Sequence, residues 1–218
     1  MATDFWSPVI LSIEIAIFSC IVVFILGIIF GKFMANRWFK GKSIIETIFL
    51  LPLVLPPTVV GFLLIIFFGR HSPIGQLIES LFQQPIMFTR WAAVLAAIVV
   101  AFPLMYQSCK TGFESVDKDI ENAARVDGAG EFNIFLFISL PLSLKVIISG
   151  AIMSFARALG EFGATLMFAG NIPGKTQTTP TAIYIAIDSG NMEMAWLWVA
   201  CMIGISFLML FGIQLMRK

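Results

Sequence analysis

Charged side chains are scarce in this 218-residue chain, at 12% of residues against 59% hydrophobic. A soluble domain carries about 25% charged and roughly 45–50% apolar residues. Half the usual charge cannot cover a water-facing surface, which excludes a soluble globular enzyme. Net charge is +1, from 14 basic and 13 acidic residues, so no basic footprint for nucleic acid is present. Cysteine is also sparse. Cys20, Cys109 and Cys201 lie far apart in apolar context and fit neither a disulfide framework nor a metal site. The single histidine, His71, cannot build a metal cluster alone. The sequence lacks a G-x-x-x-x-G-K-[ST] phosphate loop, a G-x-S-x-G turn and an H-E-x-x-H pair. No catalytic group, metal or cofactor is therefore expected, and the chain has no ATPase motif of its own. It also lacks a low-complexity tail and the internal repeat that marks secondary transporters.

What remains is apolar sequence in long runs. A helix crossing a membrane needs about 20 mostly apolar residues, because each residue rises 1.5 Å through about 30 Å of hydrocarbon. Four uncharged runs satisfy this: Ile15–Gly31 (extended outward to Pro8), Thr47–Gly69, Trp91–Cys109 and Met194–Met216. A fifth, over 146–170, is apolar but contains Arg157 and Glu161. The expectation is an all-α polytopic membrane protein, one domain over 1–218. Its five spans fall at about 8–31, 47–69, 91–109, 146–170 and 194–216. The start carries Asp4 and no basic residue, so the first span reads as a retained anchor rather than a cleaved signal.

Basic residues set the orientation. Lys32, Arg37, Lys40, Lys42, Lys110, Lys118, Arg125, Lys145, Arg217 and Lys218 fall on one side, and Arg70, Arg90 and Lys175 on the other. This predicts an outside N-terminus and a cytoplasmic C-terminus in a cytoplasmic (inner) membrane. Trp6, Trp38, Trp91 and Trp196 sit near the expected interfaces with lipid, where indole rings prefer to lie.

The longest hydrophilic piece is the cytoplasmic loop 110–141. Asp117 or Asp119 can cap a helix whose first turn is acidic. Residues 120–126 then form a short helix, with the smooth face of Ala123 and Ala124, stopped near Gly128 and Gly130. In the second span, Pro52, Pro56 and Pro57 kink or break the helix. Broken backbone is tolerated at that depth only where protein or a water-lined cavity covers it. Arg157 and Glu161, four apart, share one helix face and can pair. They read either as a packing pair or as part of a path, with Gly160, Gly163 and Thr165 close by. The segment after Phe168 reads as an external loop leading to a short interfacial helix from Thr179 and Pro180. Arg70–Arg90 reads as a re-entrant or interfacial piece.

The loop resembles a known signature. Asn122-Ala123-Ala124-Arg125-Val126-Asp127-Gly128, then nine residues, then Ile138-Ser139-Leu140-Pro141, is similar to the EAA loop of ABC importer permeases. In that pattern E-A-A is followed by three residues, G, nine residues and I-x-L-P. Here Asn122 stands where the motif has Glu, and the acid is one place earlier at Glu121, about 100° around a helix. The proline-rich second span and Gly160-Glu161-Phe162-Gly163-Ala164-Thr165 resemble the molybdate and sulfate permease group. The continuation Phe168-Ala169-Gly170-Asn171-Ile172-Pro173-Gly174-Lys175 favours the molybdate type.

The resemblance, from about Ser7 to Arg217, implies a type I importer permease fold and transport of molybdate, with sulfate or tungstate as the alternative cargo. It implies that Glu121, Asn122, Ala123, Ala124, Arg125, Gly128, Ile138, Leu140 and Pro141 form an ATPase-coupling loop. Pro52, Pro56, Pro57, Arg157, Gly160, Glu161, Gly163 and Thr165 would then line the pathway or gate. Two cytoplasmic ATPase subunits and an external oxyanion-binding protein follow as partners, beside membrane lipid. Five spans are few to enclose a pore, so a two-fold homodimer is expected. An ATP-independent transporter or channel remains the rival from another class, and it has no need of a docking loop.

Overall fold

A computed structural model describes residues 4–216. Arg217 and Lys218, two of the ten residues used for orientation, lie outside the described residues. All regular structure among the described residues is helical. In chain order the helices are α1 (Trp6–Met34), α2 (Lys42–Val54), α3 (Pro57–Phe68), α4 (Pro73–Phe82), α5 (Arg90–Glu114) and α6 (Lys118–Val126). They continue with α7 (Glu131–Ile134), a π-helical turn (Phe135–Ser139), α8 (Leu140–Leu159), α9 (Gly163–Ala169), α10 (Thr179–Asp188) and α11 (Met192–Met216). Among the described residues four helical stretches are long and apolar enough to cross a membrane, five if the bent α2–α3 pair counts as one span.

The core is built on α5, whose Ala92, Ala93, Ala96, Ala97, Val100 and Ala101 are buried. Small side chains there let α1 pack along one flank and α8 along another. The approach of α1 is closest at two glycines four apart. A Cβ on Gly27 would stand 2.5 Å from Met105 Cγ, and one on Gly31 would stand 2.6 Å from Cys109 Cβ and 3.0 Å from the Lys110 backbone nitrogen. The neighbour at Gly31 includes backbone, which cannot swing aside. Gly31→Leu should therefore separate α1 from α5 at a cost of about 1–3 kcal/mol or more. It should lower the melting temperature in detergent below that of Gly204→Leu, a change into open space.

The second apolar run, expected over 47–69, is not one continuous helix. Its two halves, α2 and α3, turn by 117°. A proline forces the residue before it out of the helical region, and Leu55 and Pro56 each precede a proline. Both are extended, at ψ 142° and 138°. Pro57 then occupies the first turn of α3, where its missing N–H costs nothing. Pro52 is accommodated inside α2 without ending it.

The fourth run is also displaced from its expected limits of 146–170. A continuous helical stretch runs from Glu131 to Leu159, about 44 Å at 1.5 Å per residue, longer than the hydrocarbon core. It stops at Gly160, and only after Glu161 and Phe162 does α9 begin. The loops at the far end follow expectation more closely. Ser72 caps α4 through the Gly75 N–H at 2.8 Å, and Thr179-Pro180 opens α10. Ser12 of α1 donates to Thr179 Oγ1 and accepts from its backbone N–H, pinning α10 to the bundle. By contrast α2 buries no side chain, and α11 exposes Trp196, Ile203, Phe207, Leu208 and Phe211.

Candidate functional site

The 110–141 segment is mostly helical. Asp117, rather than Asp119, caps α6, its Oδ1 accepting from the Asp119 N–H at 2.9 Å. The far end closes in a Schellman arrangement. Gly128 N–H donates to Arg125 O at 3.1 Å and Ala129 N–H to Ala124 O at 2.9 Å, with Gly128 at φ +87°. The Ala-Ala-x-x-x-Gly spacing thus has a local cause: its glycine is the residue that must turn left-handed at the helix end. Arg125 spans the turn, reaching both oxygens of Glu131 at 2.6 and 3.0 Å and Asn122 Oδ1 at 2.8 Å. Asn122 and Ala123 are exposed and Ala124 is half-buried. Around them Ile120, Val126 and Phe132 stand open to solvent, Val126 at 87% and Phe132 at 72%. These apolar neighbours carry no motif, and only their protrusion marks them.

Glu121 points the other way. Its side chain is 12% exposed, with Oε1 3.0 Å from Lys32 Nζ and 2.5 Å from the donating Ser139 hydroxyl. Lys32 Nζ also donates to Ser139 Oγ at 3.0 Å. Burial pushes the Glu121 carboxyl up, but Ser139, Lys32 and Arg125 together hold it below the usual carboxylate range. Lys32 was legible only as one more cytoplasmic charge, and nothing local in the sequence ties it to a loop 89 residues away.

The Ile-x-Leu-Pro segment explains how Ser139 reaches this pair. Pro141 has no N–H for Phe137 O, which breaks the α pattern. The preceding turn widens, and Leu140 N–H donates to Phe135 O, five residues back. Ser139 is fully buried in that π turn, Ile138 and Leu140 are half-buried, and Pro141 is exposed.

The two broken helices meet. A Cβ on Gly163 would lie 2.8 Å from Pro57 Cβ, and one on Gly61 would lie 3.1 Å from Ala164 Cα. The start of α9 therefore packs on the start of α3. Pro56, Pro57 and Gly160 are exposed at these breaks, whereas Pro52 lies back along α2 and is half-buried. Arg157 Nη1 and Glu161 Oε2 are 2.7 Å apart, with Glu161 only 2% exposed. Glu161 Oε1 also accepts from the Ala164 N–H at 2.8 Å, so the carboxylate caps α9. That capping role depends on the break at Gly160 and has no signature in a sequence read as one continuous span. Thr165 Oγ1 and Ser154 Oγ are buried without a hydrogen-bond partner among the described residues. The loop beyond α9 is tightly folded. Ile172 O accepts from Lys175, Thr176 and Gln177, and Arg90 Nη2 donates to Gly174 O at 3.2 Å.

Residues 12–218 match the family described as binding-protein-dependent transport system inner membrane component. The chain is 62% identical over 213 residues to a putative molybdenum transport system permease protein, YvgM, of Bacillus subtilis (strain 168), covering 98% of this chain and 94% of that one. It is 42% identical over 188 residues to the molybdenum transport system permease protein ModB of Escherichia coli (strain K12), covering 86% and 82%. Among solved structures, it superposes with TM-score 0.78 on a chain of a bacterial alginate ABC transporter. That transporter was solved in complex with its periplasmic protein bound to an alginate pentasaccharide. The match covers 100% of this chain and 80% of that one at 15% identity, a likeness of fold alone.

Proposed function

This chain belongs to the family of binding-protein-dependent transport system inner membrane components, a permease subunit of an ABC transporter, and from that premise we propose that it conducts molybdate. The observation that carries the cargo is the 62% identity to the Bacillus molybdenum permease across nearly the full length of both chains.

Two copies form the conduit about a two-fold axis. The unburied apolar faces of α2 and α11 support this, as do the helix breaks at the exposed residues Pro56, Pro57 and Gly160, since broken backbone at membrane depth needs protein or a water-lined cavity to cover it. A cytoplasmic ATPase subunit docks on each α6, over Asn122, Ala123 and the apolar Ile120 and Val126. An external oxyanion-binding protein delivers cargo at the opposite end, where α1 begins. The excess of basic residues at the α6 end supports that orientation. Nucleotide and loaded binding protein shift the dimer between inward- and outward-facing states, by as much as they bind the two states differently. The meeting of α3 and α9 is the part of the path nearest a gate. Arg157 is neutralised there by Glu161, so passage is by weak contact rather than at a standing cationic site.

Molybdenum content of cells grown at trace molybdate tests the cargo. Cells lacking this subunit should lose molybdenum accumulation and keep normal growth on sulfate. Retained molybdenum with a sulfur requirement would make sulfate the cargo instead.

A further inference from the structure

The family resemblance places Glu121 in the coupling loop but one position before the motif's acid, and so does not say what its side chain does. We propose that Glu121 is a positioning residue that latches the coupling helix to the spans through Lys32 and Ser139, rather than a contact for the ATPase. The inference rests on the permease reading above and deepens it.

The geometry is specific. Lys32 lies in the last turn of α1. Its ammonium meets Glu121 Oε1 at 3.0 Å and Ser139 Oγ at 3.0 Å, and sits 5.4 Å from the centre of the Phe113 ring. Phe113 is buried in the last turn of α5, and Ser139 is fully buried at the foot of α8. Three spans therefore converge on one ammonium group, and α6 hangs from it by Glu121.

Packing contributes little to this, because no residue of α6 is fully buried. α6 is braced to α7 at the surface, by Arg125 on the 74% exposed Glu131. Gly128 and Gly130 follow α6, each with open space where a Cβ would stand. Without the latch, a push on α6 would reach the spans only through those turns and that exposed brace. With it, displacement of α6 passes to α1 and α8 through charge-assisted hydrogen bonds, short and strong, that bury Glu121 to 12% exposure and leave Lys32 35% exposed. The displaced acid then makes sense. One helix position turns Glu121 from the docking face, where Asn122 and Ala123 are exposed, to the face toward the bundle.

The test uses the complete complex of permease, ATPase and loaded binding protein in proteoliposomes. It reads molybdate moved per ATP hydrolysed, together with the ATPase retained on purification. Glu121→Gln and Lys32→Met should each keep the ATPase bound while lowering that ratio by about tenfold. The exchanged pair, Lys32→Glu with Glu121→Lys, should restore it to within about threefold of wild type, which simple misfolding cannot do. Loss of the ATPase in Glu121→Gln but not in Lys32→Met would overturn the inference and make Glu121 a docking contact. Equal ratios in wild type and both single variants would overturn it alone. A wild-type complex with no hydrolysis stimulated by loaded binding protein would overturn the permease reading and this inference with it.

Discussion

A Gly128→Val variant is expected to reside in the membrane in normal amount while its complex loses hydrolysis stimulated by loaded binding protein, with transport reduced at least tenfold. Gly128 sits at φ +87°, where a β-branched residue is an outlier and an L side chain costs about 1–2 kcal/mol. No atom lies within 4 Å of a Cβ placed there, so the penalty within the chain is conformational rather than steric. The chain escapes it by giving up the Gly128-to-Arg125 and Ala129-to-Ala124 hydrogen bonds, which unwinds the end of α6 and turns Val126 away from its partner. Asparagine tolerates the left-handed region, so Gly128→Asn should stay within about threefold of wild type. A valine variant with normal stimulation by loaded binding protein would remove α6 from the coupling role. A valine variant no worse than asparagine would remove the backbone as the reason.

Arg157→Met is expected to cost more stability than any other single substitution considered. It leaves the Glu161 carboxylate, 2% exposed, without its guanidinium at 2.7 Å. Removing one member of a buried ion pair costs about 3–5 kcal/mol, chiefly because the other charge stays buried. Adding Glu161→Gln should recover most of that loss, since glutamine can still accept from the Ala164 N–H that starts α9. Thermal unfolding of the detergent-solubilised single and double variants measures the recovery. Transport by the double variant then separates the two readings of the pair. Because the charges neutralise one another, the double variant should transport within severalfold of wild type. A stable double variant that does not transport would place the guanidinium charge on the path of the anion.

The sequence resolved this protein where the cause of a structure is local. Pro56 and Pro57 act on their own neighbours, so the break in the second apolar run was legible, although its size of 117° depends on how α3 packs against α9. Gly128 is a local stop as well, and the helix expected over 120–126 lies within α6. The fourth run was harder. Composition alone cannot separate one long span from a span ending at Gly160, because the residues on both sides are equally apolar. The same break creates the capping role of Glu161, so both were missed together. Lys32, Glu121 and Ser139 are joined across 89 and 107 residues, and no spacing rule reaches that far. Gly27 and Gly31 are different: two glycines four apart in a span are a local sign of close helix contact, one that the expectations drawn from the sequence did not use.

The central claim is that this subunit is a conduit driven by ATP on the side of α6. Its most direct test is molybdate accumulation by proteoliposomes containing the complete complex, with ATP trapped inside and loaded binding protein outside. The account predicts accumulation against a molybdate gradient that requires both ATP and the binding protein. Equilibration of molybdate across the membrane without ATP, at the rate seen with it, would contradict the account and make the protein a channel.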